Sequence, residues 1–131
     1  MPVTLEWLDD GQQVLLYTYT GRWTWDEYHA IITETHRRLA GITHPVYAIL
    51  DFTAASLIPS GSFVAHLSNG GRRLPDQLGF TVLAGSGLIF CVVERVLAAL
   101  PGRQREFVIV ATLDEARARM AAYLASAGTL R

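Results

Sequence analysis

The chain has 131 residues, half of them hydrophobic and 18% charged, which excludes a disordered tail and suffices for one packed core. Eleven Lys and Arg against twelve Asp and Glu leave a formal charge of −1, so no basic face is offered to nucleic acid. The single cysteine, Cys91, excludes an internal disulfide and a cysteine-based zinc site; within its apolar run it reads as a small buried hydrophobe.

The start Met1-Pro2-Val3-Thr4-Leu5-Glu6-Trp7 lacks the basic residues and long apolar core of a signal peptide. The longest apolar stretch, Leu88 to Val93, meets Glu94 and Arg95 far short of the about 20 residues that a membrane helix needs. These features read as one cytoplasmic domain over residues 1–131, without a membrane span.

Val3, Leu5 and Trp7 alternate with polar neighbours, which predicts an edge strand over residues 3–8. Asp9-Asp10-Gly11-Gln12 is a turn, and residues 13–20 return as the second strand of an antiparallel hairpin. Thr24-Trp25-Asp26-Glu27 fits a capping box. The helix that it opens carries Trp25, Tyr28, Ile31, Ile32, Thr35 and Leu39 on one stripe, with Gly41 as a stop signal. Three apolar runs, 46–50, 80–84 and 107–111, suit strands covered on both faces. Between them lie two segments of helix length, from Ser60 to about Leu74 and from Ser86 to Leu100. A second capping box, Thr112-Leu113-Asp114-Glu115, opens a last helix with Leu113, Ala116, Met120, Tyr123 and Leu124 on its stripe.

The expected order is therefore β-β-α-β-α-β-α-β-α. It describes an α/β fold with a single mixed sheet, in which an N-terminal antiparallel hairpin leads into parallel βαβ units with helices packed on the sheet.

Asp51 follows the run Val46–Leu50 and is expected at the carboxyl end of a parallel strand, where open α/β sheets bind ligands. Ser60-Gly61-Ser62 and Gly85-Ser86-Gly87 each open a helix at that same rim, where unpaired N–H groups accommodate an anion or a cap. Asp51, Ser60, Ser62 and Ser86 are thus the candidate regulatory or partner-binding residues. The Ser86–Leu100 segment is apolar nearly all round. Leu88, Ile89, Val92 and Val96 extend around its side as a candidate interface for a protein partner or a second copy in a homodimer, the alternative being burial within the domain.

The four histidines show no i, i+4 pair and no HExxH pattern. His29 and His36 lie seven apart on one helix edge, His44 in a loop and His66 on another helix, so they read as boundary residues and no metal or other cofactor is expected. Arg37-Arg38, Arg72-Arg73 and Arg103-Gln104-Arg105 read as solvated faces.

The stretch Val46 to Ser62, with the order of elements, resembles the STAS family, the anti-sigma-factor antagonist domains also found at the ends of sulfate transporters. In that family an apolar strand ends in Asp or Asn, and an Asp-Ser-Ser/Thr-Gly motif opens the next helix. Asp51 matches the strand-end acid and Ser60 falls near the phospho-acceptor. Pro59 stands in the motif's acidic position, and Gly61-Ser62 inverts its Ser/Thr-Gly. The resemblance implies a non-enzymatic regulatory domain that binds a protein partner and is switched by phosphorylation of a serine. A small-molecule binder, with an anionic or lipid-like ligand between the two turns, is the alternative reading. A hydrolase using Ser60 or Ser86 is a third, although no G-x-S-x-G elbow is present.

Overall fold

In a computed structural model, the structure describes residues 3–55, 65, 66, 69, 73, 75, 77–85 and 107–129, the last three by their backbone only. One five-stranded sheet organises them, in the spatial order β1-β2-β3-β4-β5. The strands are β1 (Val3–Trp7), β2 (Val14–Gly21), β3 (Val46–Ala55), β4 (Leu78–Ala84) and β5 (Phe107–Val110). β1 pairs antiparallel with β2, whereas β2–β3, β3–β4 and β4–β5 are all parallel. Helix α1 (Trp25–Leu39) joins β2 to β3, and α2 (Leu113–Thr129) follows β5. The expected hairpin followed by parallel strands is the observed topology.

The hairpin turn is closed by Asp9, whose Oδ1 accepts the backbone N–H groups of Gln13 (3.0 Å) and Val14 (3.1 Å). Register then follows from alternation. Val3 faces Tyr19 and Leu5 faces Tyr17, so the apolar set of β1 lies on the side that α1 covers.

α1 begins as the capping box requires. Thr24 Oγ1 accepts the Glu27 N–H at 3.1 Å, and Glu27 Oε1 accepts the Thr24 N–H at 2.9 Å. Its buried residues, Trp25, Tyr28, Ile32, Thr35 and Leu39, recur at three- and four-residue spacing. They meet Leu15, Tyr17, Tyr19, Val46 and Ala48 in one core. Gly41, with φ +83°, turns the chain out of the helix in the left-handed region, as its position predicts. α2 is capped by Thr112, whose Oγ1 accepts the Glu115 N–H at 3.1 Å. Ala116 and Met120 pack on the opposite sheet face against Val14, Ile49, Val82 and Val110, while Tyr123 stacks on Phe80 at 4.2 Å. The sheet therefore carries a core on each side, which explains the continuous apolar runs of its central strands.

Three boundaries differ from expectation. β4 begins at Leu78, two residues before its apolar run. β3 continues for five residues beyond Leu50, because its carboxyl half keeps a partner: Ala54 and Ala55 pair with Thr20 and Gly21 of β2. β5 is shorter than its apolar run and only Val110 is buried, Phe107, Val108 and Ile109 being half-buried. That is the pattern of a strand paired on one side, and β5 does pair with β4 alone among the described strands. No helix of the described residues is long and apolar enough to cross a membrane.

Candidate functional site

Asp51 lies inside β3 rather than at its end, opposite Thr18 of β2 and Ala84 of β4. Ala84 is the last residue of β4 and pairs with Val110, the last of β5. Asp51 is thus level with the carboxyl ends of β4 and β5, while β3 and β2 carry on past it. Leu50 and Phe52 pack in the core beneath α1 and Ile49 in the other, so strand alternation turns Asp51 away from α1. The residue is 6% exposed. Its Oδ1 accepts the Thr53 backbone N–H at 2.9 Å and the Thr53 hydroxyl at 2.6 Å. Asp51 therefore fixes the strand extension that follows it.

Ser60, Ser62, Ser86, Leu88, Ile89, Val92 and Val96 lie outside the described residues, as does Cys91. Gly85, immediately before Ser86, donates its N–H to the Val110 carbonyl at 2.9 Å, which holds the entrance of that segment to the end of β5.

A second constellation joins residues that sequence spacing had left apart. Ala65, His66, Asn69 and Arg73 have helical backbone, and His66 and Arg73 lie against α1. His29 meets His66 and His36 meets Arg73, each pair separated by 37 positions. A constant offset means that the two helical segments run parallel, as two crossovers leaving the same rim must. The Arg73 guanidinium approaches His29 Nδ1 at 3.1 Å. Arginine can only donate, so His29 Nδ1 accepts and the ring carries its proton on Nε2. His29 Nε2 then donates to His66 Nδ1 at 2.9 Å, which places the proton of neutral His66 on Nε2. Trp25 holds the His66 ring by stacking, 4.8 Å between centroids and 13° between planes.

The electrostatics suit a neutral His29 ring. Burial lowers the pKa of His29, with His66 and then Arg73 adding to the effect and Asp26 opposing it. Arg73 donates its other contact to Thr33 Oγ1 at 3.4 Å, and no carboxylate among the described residues pairs with it. Arg37 and Arg38, by contrast, both hold Glu34, whose carboxyl is pulled down to about 2 by those two hydrogen bonds. Beside the histidines the surface opens into a cleft of about 530 Å³ lined by His29, Ala65, His66, Asn69 and Arg73. Among the described residues, no group of three or more His, Cys, Asp or Glu gathers as a metal site would require.

The parallel sheet, its antiparallel lead-in hairpin and the helices on both faces can be set beside solved structures. An uncharacterised protein of the DUF3478 family from Shewanella loihica PV-4, itself described as having a SpoIIAA-like fold, superposes with a TM-score of 0.61. The match covers 86% of this chain and 87% of that one, at 18% sequence identity. This chain has the SpoIIAA-like fold. That is the fold of the anti-sigma-factor antagonist domains, so the resemblance read from Val46 to Ser62 holds at the level of architecture. No family model and no curated protein matches the sequence.

Proposed function

We propose that this chain is a non-enzymatic regulatory domain that works by binding a protein partner or a second copy of itself. The observation that carries the reading is Asp51, buried and fixed level with the ends of β4 and β5, immediately before the segment that holds Ser60. In the SpoIIAA-like architecture this rim is the surface on which a serine phosphate would change partner contacts. Ser60 is the acceptor, with Ser62 and Ser86 beside it in the same reading. Leu88, Ile89, Val92 and Val96 supply the apolar part of the surface. A phosphate at a helix start gains from the unpaired N–H groups there and brings a charge of about −2 to the interface.

Native mass spectrometry of the protein purified from its own host tests this directly, because one spectrum reports subunit number, bound partner and added phosphate. The expected result is a phosphorylated or partner-bound species whose phosphate is lost in Ser60→Ala. Partner or self-association would then be weaker in Ser60→Asp than in Ser60→Ala. An unmodified monomer, or equal association by wild type and both variants, would overturn the reading.

A further inference from the structure

The cleft beside His29 lies on the α1 side of the sheet, across it from Asp51, and its chemistry is not that of the serine rim. Three features coincide there. Arg73 has a guanidinium with five N–H groups, of which the described contacts engage one on His29 and one on Thr33. The donor chain from Arg73 through His29 to His66 leaves His66 Nε2–H as its terminal donor. Asn69, whose side chain brings a further amide, lines the same opening with Ala65. The site is thus rich in donors, and no carboxylate among the described residues answers its arginine.

We propose that this cleft binds a small phosphate ester, with Arg73 and His66 as the principal donors and Asn69 completing the set. A divalent metal is disfavoured because the His29 nitrogen facing away from His66 already accepts from a cation, and no third ligand among the described residues joins the pair. A carboxylate has two coplanar oxygens, which the guanidinium fork satisfies alone. A phosphate presents three terminal oxygens and uses donors that come from separate residues. The opening of about 530 Å³ also leaves room for an organic group beyond the phosphate, being of the size of ordinary small-ligand sites. The proposal does not rest on partner binding at the serine rim, and neither result decides the other.

The test is an NMR titration of the full chain, following the imidazole signals of His29 and His66, with phenyl phosphate, inorganic phosphate and acetate as separate probes at constant ionic strength. Saturable shifts with phenyl phosphate and weaker ones with inorganic phosphate are expected, with none from acetate. Because the anion favours protonated imidazole, saturating phenyl phosphate should raise the titration midpoint of His29, which the free protein holds low. Arg73 is exposed, so Arg73→Gln should fold normally and lose about tenfold or more in affinity. Arg73→Lys, keeping charge without the fork, should fall between the two. No saturable shift, equal response to acetate, or undiminished binding in Arg73→Gln would overturn the proposal. So would tight zinc binding that Arg73→Gln leaves unchanged.

Discussion

His29 donates its Nε2 proton to His66 Nδ1 across 2.9 Å, and it does so because Arg73 stands as a donor at the other nitrogen of its ring. Protonating His29 would turn its Nδ1 into a second donor facing a guanidinium. The folded state therefore prefers the neutral ring, in line with a pKa lowered by burial, His66 and Arg73.

That preference has a pH signature. In the unfolded chain His29 takes up its proton near the usual value of about 6.5, whereas in the folded protein it does so lower. Between those two pH values the unfolded state holds more protons, so stability rises with pH there. The contribution is fully present above about pH 6.5 and is lost as pH falls through the folded value. Urea unfolding followed between about pH 5 and 8 should show wild type losing more stability on acidification than His29→Gln. Parallel curves for the two proteins would mean that His29 titrates alike in both states.

Asp51 can be separated into its two roles by substitution. Its Oδ1 accepts both the backbone N–H and the hydroxyl of Thr53, and Asn keeps an oxygen there while Ala does not. Asp51→Ala should cost about 1–3 kcal/mol in chemical denaturation, since the part-buried N–H is left without its acceptor. Asp51→Asn should cost under about 1 kcal/mol. If Asp51→Asn nonetheless abolishes association at the serine rim, the charge serves the partner and the oxygen serves the fold.

The Thr35 hydroxyl, fully buried in the middle of α1, donates to the Ile31 carbonyl at 2.9 Å. Its one proton is thereby used, so the 2.6 Å contact with Tyr17 has the tyrosine as donor. The pair ties the helix to strand β2. A double-mutant cycle with Tyr17→Phe and Thr35→Val should show a coupling of about 0.5–1.5 kcal/mol, the double variant losing less than the two singles together. Additive losses would show that the two hydroxyls do not depend on one another.

What the sequence displayed was local. Alternation in Val3–Trp7, the Thr24–Glu27 box and the α1 stripe are each written in neighbours a few residues apart, and they yielded the hairpin and the first helix nearly to the residue. The length of β3 was hidden because Phe52 to Ala55 have no apolar run. Their strand conformation depends on β2 reaching the same level. The histidine pair was hidden more deeply. A search at i, i+4 finds ligands on one helix, but His29 and His66 stand on two, and only the parallel packing of those helices brings them into contact. His36 with Arg73 at the same 37-residue offset was the available clue, usable once two parallel helices are assumed.

Gln77, just before β4, is a clamp on the chain entering β3. Its Nε2 donates to the carbonyls of Ile42 and His44, both at 2.7 Å, just before Val46 begins the strand. Val46 in turn donates its N–H to the Gln77 carbonyl at 3.3 Å. Two acceptors converge on the amide nitrogen, so the position needs a donor rather than simply a polar side chain. Gln77→Ala leaves the carbonyls to water and should cost about 1–2 kcal/mol, the worth of two modest hydrogen bonds. Gln77→Glu keeps the length but brings an acceptor, and at neutral pH a charge, against two carbonyl oxygens. It should therefore be less stable than Gln77→Ala in thermal unfolding at neutral pH, and should recover relative to it as acid protonates the carboxyl and restores a donor. If Gln77→Glu instead matches wild type at neutral pH, the amide is oriented the other way and the two carbonyls are held by something else.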